Sequence, residues 1–64
     1  MQTFTFDELS ERAQSNAVNL YYADADYQDF VQEMHEKYPE EIMMVSDWAM
    51  ARGVRFNEHG ERIA

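Results

Sequence analysis

The sequence predicts a mainly α-helical fold, a small three-helix domain with an N-terminal extended arm and a short C-terminal β-hairpin or extended tail. Three observations predict it. Apolar residues recur at helical spacing in three successive segments, polar capping residues stand before the first two segments, and Gly53 follows the third. With 64 residues, the chain is long enough for one domain, which spans residues 1–64.

The first helix is expected over about residues 10–24, after an arm in which polar and aromatic side chains alternate over residues 2–6. That alternation is typical either of a short strand or of an arm that packs two phenylalanine rings. Thr5 and Glu8 have the spacing of a capping box, and Ser10 is a second candidate N-cap. The predicted apolar face of the helix consists of Leu9, Ala13, Ala17, Leu20 and Tyr21.

The second helix is expected over about residues 26–37, with Asp24 or Asp26 as its N-cap. Its apolar residues recur with the period of a helix, so one face should pack on the core. This apolar stripe consists of Tyr27, Phe30, Val31, Met34 and Tyr38.

The third helix is expected to begin at Pro39, because proline suits the first position of a helix and Glu40 then lies in the first turn, where negative charge is favourable. Gly53 is placed for a left-handed C′ position, which ends the helix. Beyond it, the stretch 57–60 has turn composition and allows a small hairpin, to which the N-terminal arm adds as an extra strand. The predicted inward face of the third helix consists of Ile42, Val45, Trp48 and Ala49.

Charge is the most informative part of the composition. Thirteen acidic residues against five basic ones give a formal net charge of −8, which disfavours direct binding to nucleic acid because such binding needs clustered Lys and Arg. The chain has no cysteine, which excludes disulfides, thiolate metal ligands and a cysteine nucleophile. It shows neither an apolar run of membrane-spanning length nor a leader, so a soluble cytoplasmic protein is expected.

The acidic residues are concentrated in the middle of the chain. Residues 22–47 hold eight acids and only Lys37, whereas residues 48–64 are mildly basic. Four carboxylates of the second helix, here called the acidic ridge, step by three, four and three residues and so share one helix face. The ridge consists of Asp26, Asp29, Glu33 and Glu36.

Two interpretations of the ridge stay open. It is either a solvated face that keeps a small protein soluble, or a binding surface for a basic cleft on a partner. Tyrosines that flank the ridge favour binding, because tyrosine is a common interface anchor. The predicted partner-binding residues are Asp26, Asp29, Glu33, Glu36, Tyr22, Tyr27 and Glu40.

No pattern of residues predicts catalysis, a cofactor or a metal site. The segment from Asp24 begins like a calcium loop, but Asp29 stands where that loop needs glycine and His35 where it needs glutamate. Neither His35 nor His59 has a second histidine at metal-ligand spacing. The methionines around the third helix either fill an irregular core or form an adaptable contact surface.

About half of the chain resembles small proteins encoded by bacteriophages and prophages. Those proteins often open with Phe-Asp-Glu-Leu-Ser and then Ala, followed by a later Ala and aromatic residues. The residues that carry the resemblance are Phe6-Asp7-Glu8-Leu9-Ser10-Glu11-Arg12-Ala13, Ala17, Tyr21-Tyr22 and Gly53-Val54-Arg55-Phe56. The resemblance implies a phage accessory protein, a class that includes anti-CRISPR proteins and inhibitors of host nucleic-acid machinery.

Together, charge and resemblance predict a non-enzymatic, anti-CRISPR-like inhibitor that places its acidic surface against a basic nucleic-acid-binding site of a host protein complex. Two alternatives stay open: a homo-oligomeric structural or regulatory accessory protein, and an antitoxin-like neutraliser of a basic toxin. A homodimer is plausible because so short a chain buries only about 60% of its unfolded surface.

Overall fold

The computed structural model describes residues 2–64 and contains the three helices that the sequence predicts. A 3₁₀ turn, Phe6–Glu8, precedes helix α1, Glu11–Tyr21. Helix α2 spans Ala25–Lys37 and helix α3 spans Val45–Arg52. In the described range, antiparallel bridges join single residues only, so the domain is mainly helical and has no extended sheet.

The starts of the first two helices follow from local capping. The Ala13 N–H donates to Ser10 Oγ at 3.2 Å, and the Asp26 N–H donates to Asp24 Oδ1 at 2.9 Å. Ser10 is therefore the N-cap of α1, which confirms its prediction as a cap. Asp24, and not Asp26, is the N-cap of α2. Helix α1 ends at Tyr21, three residues earlier than expected, because the chain turns there toward the cap of α2.

The predicted start of the third helix is wrong. Pro39 occupies the second position of a β-turn, in which the Glu41 N–H donates to the Tyr38 carbonyl at 3.0 Å, a position that proline favours as strongly as a helix start. The helix begins six residues later, where the Asp47 carboxylate accepts from the Met44 N–H at 2.8 Å. Its end is as predicted, with Gly53 at φ 64° in the left-handed region.

The two ends of the chain lie side by side across the helices. Phe4 and Phe56 form an antiparallel bridge in which each N–H donates to the other's carbonyl at 2.9 Å. Phe56 is also bridged to Arg62, so the arm and the tail associate as predicted, although as isolated bridges rather than as a hairpin ladder. Arg55 fastens the arm by donating from Nη2 to Thr3 Oγ1 at 3.0 Å.

The core forms where the helices meet these terminal segments, and aromatic rings dominate it. Trp48, which is 1% exposed, packs against the rings of Tyr21 and Tyr27 with centroid distances of 6.0 and 5.9 Å. Phe56 is fully buried and lies 6.1 Å from the ring of Phe6. The buried apolar residues are Phe6, Leu9, Ala13, Ala17, Tyr27, Phe30, Val45, Trp48, Ala49, Val54 and Phe56.

Three side chains that were predicted to face inward are exposed. Leu20 is 50% exposed because α1 buries the stripe that leads from Ala17 to Tyr21 instead. Tyr38 is 54% exposed because it follows the last residue of α2, and Ile42 is 87% exposed because its segment is not helical.

Candidate functional site: an acidic face on the second helix

Helix α2 separates an apolar face from a carboxylate face. Tyr27 and Phe30 are buried, whereas all four carboxylates of the acidic ridge are exposed. The spacing therefore places the ridge on the solvent side of the helix, as the sequence predicts. Glu40, in the β-turn beyond α2, is exposed as well.

Basic residues of α3 and the tail cover one side of the ridge. Arg62 Nη1 lies 2.8 Å from Asp26 Oδ2, and Arg52 Nη2 lies 2.7 Å from Glu33 Oε2. Lys37, one turn further along α2, approaches Glu33 at 3.6 Å. Sequence spacing shows the pairing of Lys37 with Glu33 but not the two arginine partners, although the basic balance of residues 48–64 indicates where those cations come from.

The two arginines also pack on aromatic rings. The guanidinium of Arg52 lies 5.4 Å from the ring centre of Phe30, and that of Arg62 lies 5.6 Å from the ring centre of Trp48. The hydrogen bond and the charge of Arg52 hold the pKa of Glu33 below its usual value, so Glu33 is ionised and neutralised at the same time. Asp26 and Glu33 thus help to hold α2 against the rest of the domain.

The other side of the ridge is left anionic. Asp29 and Glu36 have no cationic partner within residues 2–64, and they stand seven residues apart, on the same side of the helix. A helix rises 1.5 Å per residue, so these two carboxylates are about 10 Å apart along its axis. Both therefore present negative charge to solvent from the same side of α2, two helical turns apart.

Most positive charges of the protein have internal partners. Lys37, Arg52 and Arg62 pair with the ridge, and Arg55 hydrogen-bonds to Thr3. Among the Lys and Arg residues of the described range, Arg12 alone makes neither an ion pair nor a side-chain hydrogen bond. The outward field of the molecule is therefore strongly negative.

The two tyrosines proposed as flanking anchors differ in their surroundings. Tyr22 is 66% exposed and is available for contact. Tyr27 is 8% exposed, and its hydroxyl donates to the Met43 carbonyl at 2.9 Å. Tyr27 therefore belongs to the core and fastens the segment before α3, which corrects the view that both tyrosines border the ridge.

Replacement of Tyr27 by phenylalanine should destabilise the domain by about 1 kcal/mol at neutral pH, because the Met43 carbonyl loses its donor. Burial, with a smaller contribution from the charge of Asp47, raises the pKa of the Tyr27 phenol. Above about pH 10 the unfolded chain releases this proton before the folded one does, so the stability contributed by the phenol falls as pH rises.

Urea denaturation at pH 7 and pH 10.5 measures both effects. Between pH 7 and pH 10.5, the free energy of unfolding should fall less for Tyr27→Phe than for the parent protein. The control Tyr22→Phe changes an exposed ring, so its free energy of unfolding should fall as much as that of the parent. An equal loss in the parent and in Tyr27→Phe would show that the phenol does not ionise differently in the two states.

Residues 2–64 contain neither a cluster of metal-ligating side chains nor a membrane-spanning helix. No group of three or more His, Cys, Asp or Glu side chains in residues 2–64 is arranged to hold a metal ion. His59 is exposed, with Glu58 at 3.6 Å. None of the helices described is long and apolar enough to cross a membrane.

Comparison with known proteins gives no family model, no curated protein and no solved structure that matches this chain. The likeness to small phage proteins stays a prediction from the sequence. Function must therefore be argued from the surface itself.

Proposed function

We propose that the protein is a non-enzymatic, phage-type inhibitor of the anti-CRISPR kind. In this proposal it acts in the cytoplasm of a bacterial host cell and covers a basic nucleic-acid-binding site on a host protein complex. The observation that carries the proposal is a pair of exposed ridge carboxylates without a cationic partner among residues 2–64, Asp29 and Glu36.

The arrangement of charge suits such a partner. The arginines that would repel a basic cleft are occupied by Asp26, Glu33 and Phe30 within the protein. The two unpaired carboxylates of the ridge and Glu40 are exposed. Negative charge displayed on a firmly capped helix has a fixed geometry, so little ordering is needed on binding. Long-range attraction to a basic cleft would speed association and make it dependent on salt.

A charge-matched pair of variants tests the proposal. Asp29→Asn/Glu36→Gln removes the free charges of the ridge and keeps the Glu33 anchor, so the fold should be unchanged or slightly stabilised. The control Glu58→Gln/Glu61→Gln reduces the net negative charge by the same amount on the C-terminal turn and keeps an acceptor for Asn57. Comparing the two separates the ridge from overall charge.

The assay is inhibition of DNA binding by host nucleic-acid-binding complexes, with a CRISPR effector complex as the first target, followed by gel mobility shift. The ridge variant should inhibit at least tenfold less well, with the loss mainly in the association rate, and high salt should weaken the parent. Nucleic acid should compete with the parent for the target. Equal inhibition by the ridge variant and the control, at native helix content, would reject the ridge as the binding site.

One observation favours the second candidate function, a homo-oligomeric accessory protein. Several large apolar side chains are exposed in and around α3, with Ile42 at 87%, Met44 at 60% and Met50 at 53%. Burial of such side chains between subunits would stabilise a domain this small. Sedimentation velocity at micromolar concentration distinguishes a monomer from an oligomer.

A further inference from the structure

An open groove of about 790 Å³ runs between α1 and the segment that leads into α3. Val18 and Tyr22 form its wall on α1, and Met43 and Met44 form the opposite wall. Of these, Val18, Tyr22 and Met44 are 39%, 66% and 60% exposed, so apolar surface lines the groove and faces solvent. The groove lies in the size range of ligand-binding clefts but is open along its length, which suits a side-chain-bearing segment better than an enclosed small molecule.

The charge around the groove is negative. Glu11 is the one charged residue that lines it, within the part of the chain that the structure describes. Asp47 also lies beside the groove, since its carboxylate accepts from the N–H of Met44, a lining residue, at 2.8 Å. Arg12, the neighbour of Glu11, lines a different depression, on an adjoining face of α1.

Charge complementarity selects among the possible occupants. A second copy of the chain would bring another net charge of −8 and another Glu11 to the contact, and this repulsion opposes self-association. A cationic occupant gains attraction instead. An extended peptide that adds to a sheet edge is disfavoured, because the arm's Thr3 carbonyl already accepts from Arg55 and the Thr5 N–H already donates to Glu8.

We infer that the groove binds an amphipathic helix of the partner protein, with apolar side chains against the Val18, Tyr22 and Met44 surface and Lys or Arg beside Glu11. This inference rests on the proposed function and deepens it, because it names the element that a basic partner contributes. Paired methionines adapt their shape to an inserted apolar face, as in other grooves that receive helices.

A synthetic peptide serves as the probe. It has about four helical turns, with Leu at positions i, i+3, i+4 and i+7 and Lys on the remaining face, and a scrambled peptide of the same composition is its control. The groove variant is Tyr22→Ser/Met44→Gln. The chain offers a matched control, Tyr38→Ser/Met50→Gln, which makes the same chemical changes at side chains of similar exposure outside the groove.

Calorimetric titration of the probe should show binding to the parent that is about 10- to 100-fold weaker in the groove variant and unchanged in the control variant. The scrambled peptide should bind weakly and equally to all three proteins. Equal binding of probe and scrambled peptide to the parent, or equal loss in the two variants, would overturn the inference. A dimer that dissociates on the groove substitutions would assign the groove to a second copy and would also overturn it.

The two proposals fail in different ways. Asp29→Asn/Glu36→Gln leaves every lining residue of the groove in place, so it should still bind the probe. If that variant inhibits the host complex normally, the ridge is rejected whether or not the groove binds the probe. If the parent does not bind the probe but inhibits the host complex, and the ridge variant inhibits less well, only the helix-binding inference is rejected.

Discussion

Trp48→Ala is expected to leave the domain mostly unfolded at room temperature. Trp48 is 1% exposed and lies between the rings of Tyr21 and Tyr27, with the Arg62 guanidinium over its own ring. Truncation of a buried tryptophan costs about 3–5 kcal/mol. At about 0.05–0.15 kcal/mol per residue, the whole stability of a chain of this length is about 3–10 kcal/mol. The loss therefore consumes a large part of the total, and all of it where the total is no more than about 3–5 kcal/mol.

Thermal melting followed by circular dichroism at 222 nm, a far-ultraviolet helix band, measures the effect. Met50→Ala is the matched control, because it shortens another large side chain of α3 that is 53% exposed, and it should change stability by no more than about 0.5 kcal/mol. A Trp48→Ala protein that melts like Met50→Ala would show that the indole does not sit at the centre of the core.

Features that depend on neighbouring residues could be predicted from the sequence. The caps at Ser10 and Asp24 each need only a side chain within three residues of a free N–H, and the end of α3 needs only a glycine able to take positive φ at position 53. The burial of Trp48 follows from a helical apolar stripe in a chain with one tryptophan. These signals depend only on nearby residues, so they can be recognised in the sequence without knowledge of the tertiary structure.

The start of α3 shows where local signals compete. Pro39 is favoured both at the first position of a helix and at the second position of a β-turn, and the sequence does not rank the two. Asp47 determines where the helix starts. Its carboxylate, at the third position of the helix, accepts from the N–H of Met44, and the helix begins at Val45. The usual sequence signal for this kind of cap has serine or threonine at the N-cap position. Here the N-cap is Met44, so Asp47 three residues later is only a weak signal of a helix start.

The candidate site was less predictable than the fold. Periodicity shows that the ridge carboxylates share a face, but their partners come from distant parts of the chain. Arg52 and Glu33 are 19 residues apart, and Arg62 and Asp26 are 36 residues apart. Which carboxylates remain free is therefore a property of the tertiary structure. The burial of Tyr22 and Tyr27 is likewise a property of the tertiary structure. Both tyrosines flank the ridge in the sequence, but only Tyr27 is buried.

Gly60→Ala should destabilise the domain by about 2–6 kcal/mol through its contact with α1. Gly60 is buried, has φ 84°, and closes the turn in which its N–H donates to the Asn57 carbonyl at 3.0 Å. A Cβ atom added there would overlap the backbone oxygen of Ala13 and come within 3.3 Å of the Ala17 Cβ. Helix backbone cannot move aside as a flexible side chain can, so about 1–3 kcal/mol of steric cost adds to about 1–3 kcal/mol of backbone strain.

Gly53→Ala is the control that isolates the contact. Gly53 has a similar left-handed backbone, with φ 64°, but an added Cβ meets nothing within 4 Å, so only the strain of about 1–2 kcal/mol applies. Urea denaturation midpoints of the two variants, compared at equal m-values, should place Gly60→Ala clearly below Gly53→Ala. Equal losses would mean that the turn does not rest on α1 at Ala13. A larger loss at Gly60 would establish that the two small residues of α1, Ala13 and Ala17, are there to let the tail approach the helix.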